Sequence, residues 1–216
     1  LNLFLHITGR RDDGYHLLQS AFMLIDWCDT LHFECRQDGQ IYREDLTLTL
    51  PPDDLIIRAA QALQAQTQCP LGVNISVEKY IPAQAGMGGG SSDAASCLLA
   101  LNRLWNLNLP LSQLSALGLR LGADVPFFLQ GYNAWIEGIG EIITPLELPE
   151  ARFLVVKPST GIETKTIFES KDLKRDTKPA TIAGFATQHY CFGSNVLQPV
   201  ALKHCPESAQ ALKWLE

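Results

Sequence analysis

One stretch of the 216-residue chain concentrates the means of holding an anion: Pro82-Ala83-Gln84-Ala85-Gly86-Met87-Gly88-Gly89-Gly90-Ser91-Ser92. Four of the five positions from Gly86 to Gly90 are glycine. Neighbouring glycines let several backbone N–H groups point into one concavity, and the first turn of a following helix adds unpaired donors and a positive dipole end. A chain of phosphates suits such a nest. Ser91 and Ser92 can cap the helix, bond a phosphate oxygen or bind a phosphate-associated Mg²⁺. The loop is not a Walker A motif, because no Gly-Lys-Ser/Thr follows. Nor is it a dinucleotide fingerprint, since counting G-x-G-x-x-G from Gly86 lands on Ser91.

A carboxylate stands apart from the loop. Asp124 lies two residues beyond Gly122 and two before Pro126, between two helix breakers, so its side chain can project into a cleft. By itself such an Asp is usually a solvated turn residue. Phosphoryl transfer, however, needs a group that orients or deprotonates the attacking hydroxyl. The six cysteines form no C-x-x-C pair and the five histidines are scattered, so neither a zinc site nor a redox motif is written here. Reduced thiols, several buried as small hydrophobes, are the expectation.

These residues need elements to position them. Period-two alternation predicts strands over Leu1–Thr8, Leu31–Arg36, Leu46–Leu50 and Gly72–Glu78. Leu55, Ala59 and Leu63, widened by Ile56 and Ala60, predict a helix whose start is punctuated by Pro51, Pro52, Asp53 and Asp54. The glycine loop then lies between a strand ending near Glu78 and a helix beginning near Ser92. That helix carries Ala94, Leu98, Leu101 and Trp105 on one face. Another follows with Leu111, Leu114, Leu117 and Leu121, and Gly122 stops it. Short β-prone runs suggest strands over Asn133–Ile136 and Phe153–Val156, Glu169–Lys178 reads as a charged surface connection, and Asn195–Glu216 can be helical. With no internal repeat, the class is α+β rather than a regular βαβ alternation. A boundary near Pro149 or Pro158 would separate an N-terminal nucleotide-binding domain, 1–149, from a C-terminal domain, 150–216.

Composition narrows the partners. With 46% hydrophobic residues the chain can bury a sizeable core, and a net charge of −6 without a long basic run argues against nucleic acid. No stretch approaches a membrane span and no signal peptide is recognisable, so a soluble, cytoplasmic protein with small-molecule partners is expected. The chain opens at Leu1 without an initiator Met, inside an alternating pattern, and reads as a fragment whose first strand lacks its beginning.

The motif P-x-x-x-G-M-G-G-G-S-S-D-A-A, from Pro82 to Ala95, resembles the central motif of the GHMP kinases, named for galactokinase, homoserine, mevalonate and phosphomevalonate kinases. Two further segments narrow the resemblance: Leu1-Asn-Leu-Phe-Leu-His-Ile-Thr-Gly-Arg-Arg-Asp-Asp-Gly-Tyr-His16 and Leu121-Gly-Ala-Asp-Val-Pro-Phe-Phe128. Both are similar to the members that act on a methylerythritol carrying a cytidyl diphosphate, in the non-mevalonate route to isoprenoids. The resemblance runs over essentially the whole chain. It implies two α+β domains with ATP in the cleft between them and an ATP- and Mg²⁺-dependent transfer to a hydroxyl of the polyol.

The same resemblance implies roles for single residues. Asp124 would act on the attacking hydroxyl, paired with a lysine expected directly before Leu1, and a third glycine-rich motif would fall beyond Glu216. Tyr15 and His16 match the cytosine-recognition residues, with Phe168 on the other face of the base, and Asn2 and Thr164 match positions near the methylerythritol hydroxyls. Lys79 matches a position near the adenine. Where the family reads Asp-Asn-Leu this chain has Asp53-Asp54-Leu55, and an ionised Asp54 can only accept, for instance from the adenine amine. Two other readings stand beside this one. Another GHMP kinase, such as homoserine kinase, would leave the Asp-Gly-Tyr-His segment without a purpose. A non-catalytic ligand-binding protein on the same fold would need the full chain to lack the lysine.

Overall fold

The computed structural model describes residues 1–159, 161–162 and 164–215. In chain order the first half contains β1 (Asn2–Arg10), β2 (His16–Phe22), β3 (Thr30–Arg36), β4 (Ile41–Asp45), α1 (Leu55–Thr67), β5 (Gly72–Glu78) and α2 (Gly89–Leu104). There follow α3 (Leu111–Leu121), α4 (Val125–Gln130), β6 (Ala134–Glu137), β7 (Ile142–Pro145), α5 (Thr164–Glu169), α6 (Ile182–Ala186), α7 (Gln198–His204) and α8 (Pro206–Leu215). The architecture is α+β, and the chain divides into two compact units. One comprises Leu1–Ile25, Gln84–Met87 and Tyr132–Glu216; the other comprises Asp26–Ala83 and Gly88–Gly131.

In the second unit β5 is the central strand, antiparallel to β3 and parallel to β4. Val73, Ile75 and Val77 alternate along it and are buried, as a strand with one face on a core requires. Against them pack Ile56, Ala59, Ala60 and Leu63 of α1, Ala94, Leu98 and Leu101 of α2, and Leu114 and Leu117 of α3. The stripes expected for these helices thus face inward, although Leu55 is only half-buried and α1 is centred on Ile56. Burying each of the Ile, Leu and Val side chains contributes about 1.5–3 kcal/mol. Trp105 closes the far end of α2 and donates its indole N–H to the Gly72 carbonyl at 3.1 Å.

Leu46–Leu50 is not a strand, contrary to its alternation. Arg43 and Asp45 reel this segment into a bend: Arg43 bonds the Leu50 carbonyl at 3.2 Å and the Pro51 carbonyl at 3.1 Å, and Leu50 N–H donates to Asp45 at 2.9 Å. Leu46 and Leu48 are left exposed.

In the first unit a fully antiparallel sheet runs β1-β2-β6-β7. Residues Phe4 to Ile7 of β1 are all buried, so the strand is covered on both faces. Phe4 packs with Trp135 and Phe185, ring centroids 5.2 and 5.8 Å away, while Leu5 and Ile7 pack with Val196. The sequence patterns predict neither β2, β4 and β7 nor the short helices α4, α5 and α6. They also suggest a strand at Phe153–Val156, where the backbone is irregular and Leu154 is 69% exposed, with no sheet partner to use its β-prone residues. No helix among the described residues is long and apolar enough to cross a membrane.

Candidate functional site

Helix α2 begins at Gly89, three residues earlier than Ser92, so the last glycines of the loop form its first turn. Gly88 is the N-cap, in the left-handed region at φ 72°, and no side chain caps the helix. The N–H groups of that turn are therefore not consumed by a capping side chain, the condition for an anion site. Only glycine fits position 88 on two counts. Its φ disfavours any Cβ, and a Cβ there would come within 2.9 Å of the Phe128 ring. Pro82 and Ala83 lead out of β5, Gln84–Met87 form the turn, and Ser91 and Ser92 are half-buried in the first turn of α2.

Both ends of this loop are tied by one buried cluster. Lys79, just past β5, pairs with Asp29 and with Asp93, the latter at 2.5 Å, and its side chain is 6% exposed. Asp29 also accepts the backbone N–H groups of Tyr80 at 2.6 Å and Ile81 at 2.8 Å. Two carboxylates facing one ammonium cannot both be neutralised, and the surroundings split them. Burial pushes Asp29 up, but its bonds from Lys79, Ile81 and Tyr80 outweigh this and bring it below the ordinary Asp value. Asp93, with burial dominant and Asp29 nearby, is pushed up to about 6. Burial lowers the Lys79 pKa, but the two carboxylates raise it further, so the ammonium stays charged. Asp54 is the N-cap of α1: its Oδ1 accepts from Ile57 N–H at 3.1 Å and pairs with Arg43.

Asp124 heads α4 rather than lying in an open loop, because Pro126 sits in the first turn, where its missing N–H is not needed. Its side chain is half-buried, and burial raises its carboxyl above the ordinary Asp value. A Cβ built on Gly122 would stand 3.8 Å from Ser91 Oγ, so the turn that carries Asp124 lies against the first turn of α2.

The remaining site residues lie in the first unit. Tyr15 is 59% exposed in the turn between β1 and β2, its N–H held by Asp13 at 3.2 Å. His16 opens β2 and is half-buried, with the Phe168 ring 5.2 Å away and tilted by 40°. Phe168, on α5, also packs onto the cluster of Ile167, Leu173 and Val200. Asn2 and Thr164 are exposed at the starts of β1 and α5. The structure thus brings His16 and Phe168 together, and adds two residues that the sequence did not single out, Asp29 and Arg175. Arg175 lies in the segment read as a charged surface connection. Its guanidinium instead donates to His16 Nε2 at 2.9 Å.

A profile of the GHMP kinases N terminal domain matches residues 54–132. A protein of Acidovorax sp. (strain JS42) named 4-diphosphocytidyl-2-C-methyl-D-erythritol kinase is 66% identical, the match covering 100% of this chain and 78% of that protein. One of the same name from Albidiferax ferrireducens is also 66% identical, covering 100% of this chain and 75% of its own length. A crystal structure of 4-(cytidine 5'-diphospho)-2C-methyl-D-erythritol kinase superposes with a TM-score of 0.78 at 32% identity, covering 98% of this chain and 78% of that one. Fold, glycine loop and identity along the whole length agree, and the chain belongs to the 4-diphosphocytidyl-2-C-methyl-D-erythritol kinase family of the GHMP kinases.

Proposed function

We propose that this protein transfers the γ-phosphoryl group of ATP to the 2-hydroxyl of 4-diphosphocytidyl-2-C-methyl-D-erythritol, in the non-mevalonate route to isoprenoid precursors. The observation that carries this reading is the 66% identity, over the whole chain, to kinases of that name. The glycine loop from Pro82 to Ser92 cradles the phosphates through backbone N–H groups, and Lys79 and Asp54 lie on the adenine side. Oδ1 of Asp54 is already engaged, so an adenine contact falls to its Oδ2. Among the described residues no group of three His, Cys, Asp or Glu could hold a metal ion. The donor set fits an Mg²⁺ carried by the phosphates: the Ser91 or Ser92 hydroxyl would hold it, and it would supply neutralisation of phosphate charge.

Asp124 accepts the proton of the 2-hydroxyl as its oxygen bonds to Pγ and the bond from Pγ to the β,γ-bridging oxygen breaks, releasing ADP. A carboxyl held above its ordinary pKa is a stronger base once ionised. Tyr15 and Phe168 stack on the two faces of cytosine, His16 reads its edge, and Asn2 and Thr164 bond the polyol. The N-terminal domain is assigned to residues 1–149 and the C-terminal domain to 150–216, and the working location is the cytoplasm. The test is ADP release from ATP with the cytidyl substrate in the full chain; no release, in folded protein that binds both ligands, overturns the reading.

A further inference from the structure

Arg175 belongs to a stretch, 171–180, without helix or strand, yet its guanidinium is fixed by four bonds. Two go from Nη2 to the carbonyls of Phe168 at 3.0 Å and Ser170 at 2.7 Å, and one from Nη1 to the Leu173 carbonyl at 3.0 Å. The fourth goes from Nε to His16 Nε2 at 2.9 Å. A guanidinium has no acceptor and keeps its charge in proteins, so the nitrogen that faces it must offer a lone pair. His16 is thereby neutral with its proton on Nδ1.

We propose that Arg175 is a positioning residue for base selection: it locks His16 as the Nδ1–H tautomer and holds the Phe168 backbone in the same grip. The lock leaves His16 with a single polar handle, a donor. Cytosine offers a lone pair at N3, where uracil carries hydrogen, so a fixed donor facing N3 bonds cytosine and opposes uracil. Without the guanidinium the imidazole is free to exchange tautomers, and a ring that can offer either a donor or an acceptor discriminates less. The surroundings act in the same direction on the charge: burial first, then the Arg175 and Arg10 cations, hold the His16 pKa below its ordinary value. The selectivity part of this inference rests on the base-reading role of His16 proposed above; the tautomer part does not.

The experiment has two arms. Imidazole ¹⁵N spectra of the ligand-free full chain should show His16 with Nδ1 protonated and Nε2 bare; an Nε2–H tautomer overturns the proposal whatever the kinetics. In Arg175→Met the fixed tautomer should be lost and the His16 titration should move up. The ratio of kcat/KM for the cytidyl substrate over its uridyl analogue should fall about tenfold, within the range expected for one mismatched buried bond. Arg175→Lys, which keeps a donor and a charge, should recover part of that ratio and also serves if the Met variant does not fold. A folded Met variant with wild-type selectivity overturns the role of Arg175. Wild-type protein that uses both substrates equally overturns the base-reading role of His16 itself, an outcome the spectra keep distinct.

Discussion

The Lys79 ammonium, just beyond β5, lies 2.5 Å from Oδ2 of Asp93 in the second turn of α2, so one ion pair spans the glycine loop from its entry to its exit. A third member, Asp29, leaves this buried cluster with one negative charge more than the ammonium balances. That excess has a sign-defined consequence. Asp93 titrates near 6 in the folded chain against 3.8 in an ordinary Asp, so the folded state holds its proton more tightly than the unfolded state. Stability is then highest below pH 4 as far as this group is concerned, falls as pH rises to about 6 and is level above that. Asp93→Asn keeps the carbonyl acceptor and removes the titration. Relative to wild type it should gain about 2 kcal/mol between pH 4 and 7, measured by urea unfolding at each pH. A constant difference across that window contradicts the charge imbalance.

The loop itself predicts a loss of nucleotide binding. A Cβ on Gly89 would sit 3.1 Å from Ile81 Cγ2 and 3.5 Å from Lys79 Nζ, and valine adds two methyl groups beyond it. Gly89→Val should weaken ATP binding at least about tenfold by calorimetry, because the first turn of α2 can no longer present its N–H groups to phosphate. Unchanged ATP affinity in a folded variant removes the loop from the site.

Much of this was legible in the sequence, and the exceptions share a cause. Val73, Ile75 and Val77 alternate because β5 has one face on a core, and Ala94, Leu98 and Leu101 repeat at helical spacing for the same reason. Leu46 and Leu48 alternate equally well, but the backbone at the end of their segment, Leu50 and Pro51, is claimed by Arg43 and Asp45, which no local pattern records. The start of α2 was displaced because glycine has low helix propensity; here the loop geometry decides instead. Asp29 and Arg175 were invisible. Each is one charged residue among several in its segment, and each acquires its role through a partner 50 and 159 positions away.

Asp124 makes a kinetic prediction of its own. Asp124→Asn cannot accept the hydroxyl proton, so kcat should fall by about 10²-fold or more while ATP affinity stays near wild type. Since burial raises this carboxyl, the acid limb of wild-type kcat/KM should titrate above 3.8, and the residual activity of the Asn variant should lack that limb. A variant that keeps more than about a tenth of wild-type kcat contradicts the general-base role.

The aromatic wall gives a prediction that separates the two substrates. Phe168→Ala removes a base-stacking ring, worth about 1 to 3 kcal/mol, so affinity for the cytidyl substrate should fall about 5- to 150-fold. ATP affinity should not move. Equal losses for both ligands would point to general disturbance of the Ile167, Leu173 and Val200 cluster on which Phe168 packs.

Substrate choice tests the account as a whole. In the full chain with ATP, kcat/KM is to be measured by ADP release for 4-diphosphocytidyl-2-C-methyl-D-erythritol, for methylerythritol phosphate without the nucleotide, and for homoserine and mevalonate. The cytidyl substrate should exceed each of the others by at least about 10²-fold, the combined effect expected from stacking and edge recognition of the base. Comparable rates for the cytidyl and nucleotide-free substrates, or for homoserine, would contradict cytosine recognition by Tyr15, His16 and Phe168 and with it the proposed reaction.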